Sequence, residues 1–289
     1  NIQTIFYTVM TYIDILHTKI GYKIITSTML IFTFCMLTAG CDLIEYHPYD
    51  GNIDGPTQVN ATNIARIHAL CDHKDTIRFI LMGDTQRWYD ETEDFVNHVN
   101  QRNDIDFVIH GGDISDFGMK KEFLWIHDIM DDLHVPYVAI IGNHDILGCG
   151  DKIFEQLYGN QNYSFIVNRI KFLCLSTNAL EYDYSHPIPD FNYIQSELAD
   201  SCNYDRTVIA MHAPPFSEQF NSNANQEFGY FVRRFPGILC CLHAHNHTAR
   251  IANLYDDGIL YYGCDNIKKK SYFLFTITPD GYEYEQVYF

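Results

Sequence analysis

The stretch "TIRFILMGDTQ", Thr76–Gln86, decides the fold. Its apolar run stops at Gly83, and Asp84, Thr85 and Gln86 follow at once. A short apolar run closed by a turn residue reads as a buried strand, and glycine lets the backbone bend sharply after it. The stretch therefore predicts a strand that delivers a carboxylate to a loop at its carboxyl end.

Outward from there the pattern repeats. "FVIHGG" (Phe107–Gly112) and "PYVAIIG" (Pro136–Gly142) read as further buried strands, with helices expected over Glu91–Asn103 and Lys120–Leu133. "YSFIV", "KFLCLS", "TVIAMH" and "GILCCLH" follow, and the tail from Ala249 alternates strand-like runs with turns. Such alternation predicts an α/β core, in which ligand sites gather outside the carboxyl ends of the strands. Five loops at those ends carry polar residues: "GDTQ" (Gly83–Gln86), "GGDISD" (Gly111–Asp116), "GNHD" (Gly142–Asp145), "MHAPP" (Met211–Pro215) and "HAHNH" (His243–His247). An aspartate after glycine is a common turn, and a lone histidine is commonly structural. Five such loops in succession, all offering Asp, Asn or His, point to a metal site.

Composition bounds the partners. The 289 residues are 47% hydrophobic, enough for one sizeable core. With 19 Lys+Arg against 37 Asp+Glu, the surface repels phosphate backbones, so no nucleic-acid partner is expected. An anionic substrate needs local positive charge, which bound cations supply.

The N-terminus stands outside the fold argument. Lys19 and Lys23 precede an uncharged stretch, Ile24–Leu37. It is shorter than the roughly 20 residues of a membrane span but suits a signal-peptide core. It ends in "LTAGC", Leu37–Cys41, which resembles a bacterial lipobox and makes Cys41 the expected lipidation site. The alternative is an ordinary secretory signal with an incidental cysteine. The chain begins at Asn1, so Met10 and Met29 are candidate start positions. Residues 1–40 are thus expected to be a lipoprotein signal, 41–75 a tether and irregular lead-in, and 76–289 the folded domain, anchored in a bacterial cell-envelope membrane. Of nine cysteines none shows metal-ligand spacing. Cys240 and Cys241 are expected in the core, and Cys71, Cys149 and Cys202 could form disulfides of unassigned pairing.

The five loops together resemble the calcineurin-like metallophosphoesterase superfamily, whose signature runs D-x-H, GD, GNH[DE], H and GHxH. The resemblance covers Thr76 to Thr248, and "GNHD" is its most specific piece. It implies a two-sheet αββα sandwich with two divalent cations at one edge, acting on a phosphorylated small-molecule substrate. Carried over residue by residue, Asp84 would bind the first ion and Asp113 would bridge both. Asn143, His212 and His245 would bind the second, and His247 would return to the first. His144 would face the leaving-group oxygen as acid or charge stabiliser. Asp116 matches the aspartate that pairs with this histidine in related protein phosphatases; the alternative is a helix or turn cap. The chemistry implied is hydrolysis of a phosphate ester by metal-activated water.

Two positions depart from the signature. Ala244 replaces a glycine, a change of one methyl group. Gln86 replaces a histidine, and its amide oxygen, if it ligates, shifts preference toward Mn²⁺ or Mg²⁺ and away from Zn²⁺. Mn²⁺ is therefore the first expectation, with Mg²⁺, Fe²⁺ or Zn²⁺ as alternatives. A D-x-Q form resembles the ADP-ribose/CDP-alcohol diphosphatase branch, so a nucleotide-type diphosphate hydrolase is one alternative. A non-catalytic binding lipoprotein on the same fold is another. Arg87, Trp88 and Tyr89 either line the mouth or pack a loop. His110 and His243 read as structural, Asn178 as a residue approaching the site, and Lys268–Lys270 as a solvated turn. Substrate-binding residues are not legible.

Overall fold

Alternating burial along two sets of strands builds the molecule. The computed structural model describes residues 2–39, 50–182, 186–199 and 202–289. Helix α1 (Ile2–Ala39) belongs to a separate unit, residues 1–47, and everything below concerns residues 48–289. Among the described residues no helix is long and apolar enough to cross a membrane. Cys41 and the residues beside it lie outside the described residues.

The first sheet holds β1 (Ile77–Met82), β2 (Phe107–His110), β3 (Tyr137–Ala139), β10 (Ser271–Thr278) and β11 (Gly281–Tyr288), in the order β11-β10-β1-β2-β3. The second holds β4 (Tyr163–Val167), β5 (Ile170–Leu175), β6 (Arg206–Met211), β7 (Ile238–His243), β8 (Arg250–Ala252) and β9 (Tyr261–Gly263), in the order β4-β5-β6-β7-β9-β8. β1, β2 and β3 run parallel, as do β5, β6, β7 and β9. Parallel strands must be covered on both faces, and three apolar layers do this. Ile77, Phe79 and Leu81 of β1 meet Phe172, Val208 and Leu242 between the sheets. Ile80 and Met82, pointing the other way, pack on α3 (Tyr89–Asn100), α4 (Lys120–Asp131) and α5 (Gly150–Leu157). Leu173, Ile209 and Cys241 back onto α6 (Phe191–Ala199) and α7 (Asn225–Val232). This is the αββα sandwich. Cys240 and Cys241 are buried as expected, and the seven cysteines of residues 48–289 are free thiols.

The lead-in is not irregular throughout. Val59–Cys71 forms helix α2, which buries Val59, Asn63, Ile67 and Cys71 at four-residue spacing. The period is hidden because polar residues occupy buried positions. Asn60 is one: its side chain donates to the Ala139 carbonyl at 3.0 Å and accepts from the Ala139 N–H at 2.8 Å. It thereby completes the edge of β3, where an apolar residue would leave the Ala139 N–H unmet, the carbonyl also accepting from the Tyr163 hydroxyl.

Candidate metal centre

Five of the parallel strands, β1, β2, β3, β6 and β7, lead into the loops that carry the expected residues. Two constellations form, Asp113 with His212 and His245, and Asp84 with Asp113 and His247. In each, one ligand atom per residue lies within 4.8 Å of the others. Asp113 belongs to both. Asn143 joins the first: its Oδ1 is 3.1 Å from His212 Nε2 and 3.0 Å from His245 Nδ1. His212 Nε2 is 3.3 Å from Asp113 Oδ2, and His247 Nε2 is 3.5 Å from Asp84 Oδ1. His212 Nδ1 sits 2.8 Å from the Gly111 carbonyl. A carbonyl only accepts, so Nδ1 carries the hydrogen and Nε2 faces the cluster.

The backbone is bent to achieve this. Asp84, Asp113, His245 and His247 all have positive φ, between 53° and 69°. Non-glycine residues rarely adopt this left-handed region, and such strain persists where surrounding structure over-determines it. Gly142 marks the tightest approach. A Cβ there would lie 2.1 Å from the Asp113 nitrogen and 2.2 Å from its Oδ1. The Ala244 methyl is accommodated because Gly83 and Gly111 face it: Cβ atoms at those glycines would lie 3.1 and 3.0 Å away.

The electrostatics call for a cation. Asp84 is fully buried, and among the described residues neither carboxylate oxygen has a hydrogen-bond partner, His247 Nε2 standing off at 3.5 Å. Gln86 is buried with its Oε1 also unpartnered, while its Nε2 reaches Asp113 Oδ2 at 3.3 Å. Burying a carboxylate without donors is costly unless a cation neutralises it. Burial opposes charge on both Asp113 and His212, yet each holds the other charged. Asp113 falls to about 2 and His212 rises to about 9. His247 is raised by its contact with Asp84. Oxygen and imidazole donors of this kind, two of them buried without partners, suit divalent transition metals.

His144 stands beside Asp116, and its closer contact is with the main chain of that residue. Its Nδ1 lies 2.8 Å from the main-chain carbonyl of Asp116, whereas the Asp116 carboxylate is 3.7 Å away and bonds Arg87. Asp116 does not cap a helix either. The local capping role falls to Glu122, whose Oε2 accepts the N–H groups of Asp116, Phe117 and Met119. Asp145 ties two ligand loops together, accepting from Gly142 N at 2.8 Å, Ile114 N at 2.9 Å and Ser115 N at 2.7 Å.

Other residues sort themselves by contact. His110 accepts the Gly112 N–H at Nδ1 and bonds Thr85 Oγ1 through Nε2, a structural role. His243 is buried against the Ala244 carbonyl. Asn178 donates to the Ile141 carbonyl, bracing the chain ahead of "GNHD". Trp88 lies under Lys268, and Tyr89 meets Trp125 edge-on, so both pack a loop. The Lys268–Lys270 turn is solvated as expected, Lys268 and Lys269 being exposed, and the amines of Lys269 and Lys270 are also paired. Lys269 Nζ donates to the His247 carbonyl at 2.6 Å and pairs with Asp265 at 2.9 Å, and Lys270 pairs with Asp94. Glu218 was invisible in the sequence, three residues past "MHAPP" with no motif to mark it. Its Oε1 meets His245 Nε2 at 3.0 Å.

Comparison with known proteins agrees with this geometry. The family model for calcineurin-like phosphoesterases matches residues 77–249. A 3′,5′-cyclic-nucleotide phosphodiesterase of Nostoc sp. is 25% identical over 153 residues, 50% of this chain and 57% of that protein. An uncharacterised Bacillus subtilis protein, YvnB, is 24% identical over 214 residues, 64% of this chain and 16% of its own length. The chain thus spans little more than half of one relative and a small part of the other. Among solved structures, a dimetal phosphatase from Danio rerio superposes with a TM-score of 0.56 at 13% identity, covering 73% of this chain and 98% of that one. Strand ends, ligand order and the match over residues 77–249 lead to one conclusion: the chain belongs to the calcineurin-like phosphoesterase family.

Proposed function

We propose that this protein hydrolyses a phosphate ester of a small molecule at a dinuclear metal centre. The observation that carries the reading is Asp113 shared between two ligand groups, beside a buried Asp84 whose oxygens have no hydrogen-bond partner among the described residues. Asp84, Gln86, Asp113 and His247 would hold one ion, and Asp113, Asn143, His212 and His245 the other. When bound, two such ions supply Lewis-acid charge to a phosphoryl group and lower the pKa of water toward about 7. Gln86, as a neutral oxygen donor, favours Mn²⁺ over Zn²⁺.

The chain's own groups complete the reaction. Water forms the new bond to phosphorus as the bond to the leaving oxygen breaks, and the leaving oxygen takes a proton. His144 is the donor: the Asp116 carbonyl keeps the hydrogen on Nδ1, which aims Nε2 outward. The Asp116 carboxylate, braced by Arg87, adds negative charge 3.7 Å away. Export and lipid anchoring through Cys41 belong to the same reading, and loss of a fatty-acid label in Cys41→Ser checks them.

The experiment is a panel of aryl phosphates, diesters and nucleotide diphosphates with Mn²⁺, Mg²⁺ and Zn²⁺, on protein starting after Cys41. Hydrolysis that depends on added metal is expected. Metal binding without turnover on any ester would favour a non-catalytic binding lipoprotein on this fold.

A further inference from the structure

A cavity of about 400 Å³ opens beside the metal centre, within the size range of small-molecule sites. The ligands themselves do not line it, but residues that neighbour or bond them do. Asn246, between His245 and His247, lines it, and so does Glu218, which bonds His245. We propose that this cavity is a subsite for the leaving group, with Arg250 binding a second anionic group and Phe216 forming an aromatic wall; it rests on the phosphate-ester reading above.

Arg250 opens β8, where alternation puts it and Ala252 on the cavity side, with Ile251 turned away. Its main chain pairs with β9, but among the described residues its guanidinium makes no hydrogen bond or ion pair, although the chain carries a net charge of −18. Arg78, Arg87, Arg102, Arg169 and Arg233 each hold a carboxylate, while Arg66 and Arg206 donate to Asn63 Oδ1 and the Thr278 carbonyl and Arg234 stacks on Tyr230. An arginine left over in so acidic a molecule, facing a cavity at a metal centre, is a ready fork for phosphate or carboxylate.

Phe216 gives a second, independent observation. It is 51% exposed yet held in the left-handed region at φ 70°. Its N–H is fixed on Asn225 Oδ1 at 2.9 Å, and its ring stands 5.2 Å from Tyr255. A bulky residue in this conformation is a strained one, and such strain collects at ligand clamps. Ser217 and Thr248 add hydroxyls to the same lining. Glu218 would repel an anion, but its oxygen is turned to His245, which leaves the Arg250 side for the charge. The substrate class is thus a phosphate ester whose leaving group bears a second phosphate or carboxylate and a flat apolar part. During hydrolysis that second anion stays on Arg250 with the departing group.

ADP and AMP form a probe pair: cleaving the terminal anhydride of ADP leaves a phosphate on the departing side, cleaving the AMP ester leaves none, and comparison of each ratio with wild type cancels the difference in bond. In Arg250→Ala the ratio of kcat/KM for ADP over AMP should fall about tenfold, the scale of one charged hydrogen-bonded contact, and Arg250→Lys should restore part of it. Calorimetric binding of the two nucleotides should show the same shift. If 4-nitrophenyl phosphate is hydrolysed but neither ratio moves, the subsite is wrong and the hydrolase reading stands. If the wild type hydrolyses nothing, yet Arg250→Ala selectively weakens ADP binding, the subsite stands and the hydrolase reading fails.

Discussion

Glu218 Oε1 lies 3.0 Å from His245 Nε2, on the far side of the ring from the Nδ1 that meets Asn143. A carboxylate behind a metal-ligating histidine fixes its tautomer and raises its basicity. Glu218→Gln keeps the contact without the charge, and Glu218→Ala removes both. We expect Mn²⁺ affinity to fall by about tenfold or more in the alanine variant and less in the glutamine variant. Titration calorimetry reads this directly, and equal affinities in all three proteins would show that the contact orients nothing.

His144→Ala should lose turnover by a factor of about 10² to 10⁴, the range for a positioned general acid, while keeping Mn²⁺ affinity. No metal-facing contact of the imidazole is needed for that role. A parallel loss of metal would mean that His144 is a ligand.

Gln86→His places imidazole where the Gln86 amide, its oxygen unpartnered, stands beside Asp113. Softer nitrogen should move the preference from Mn²⁺ toward Zn²⁺. Activity and affinity profiles with the two metals, compared with wild type, test this. An unmoved preference would remove Gln86 from the ligand set.

Gly142→Ala should destabilise the fold by about 3 kcal/mol or more, since overpacking against backbone has no side chain to yield. The new Cβ would meet the Asp113 nitrogen at 2.1 Å. Ala244→Gly, by contrast, only empties a notch between Gly83 and Gly111 and should change the thermal midpoint little. Thermal unfolding without added metal separates the two, and a tolerated Gly142→Ala would contradict the packing.

His127 supplies a pH test away from the metal residues. Burial holds its pKa below the usual histidine value, and Nδ1 is 2.7 Å from the Tyr137 hydroxyl. The unfolded chain therefore takes up a proton near pH 6.5, where the folded chain does not. Stability is full above that value and declines as pH falls from it toward the lower folded-state pKa. His127→Gln should lose less thermal stability than wild type between about pH 7 and 5. Parallel curves would show that this histidine does not contribute to the decline.

How much of this was legible before folding depends on distance along the chain. The run from Ile77 to Met82, its closing Gly83 and the carboxylate of Asp84 are neighbours, so local chemistry alone announces a strand end with a ligand. The order of the five loops follows from the same local rule. Helix α2 escaped because Asn60 and Asn63 hold buried positions that apolar residues ordinarily mark. The left-handed backbone at Asp84, Asp113, His245 and His247 depends on loops from both sheets closing on one rim. The fit of Ala244 against Gly83 and Gly111 depends on strands more than a hundred residues apart. His144 met the Asp116 main-chain carbonyl more closely than the Asp116 carboxylate, which Arg87 also holds. Glu218 reached His245 from a loop with no motif of its own. Sequence alone thus determined which residues stand at the strand ends, because hydrophobic period and turn chemistry are local. Tertiary structure decided how those ends converge and which groups orient them, because contacts between distant loops exist only once both sheets have packed.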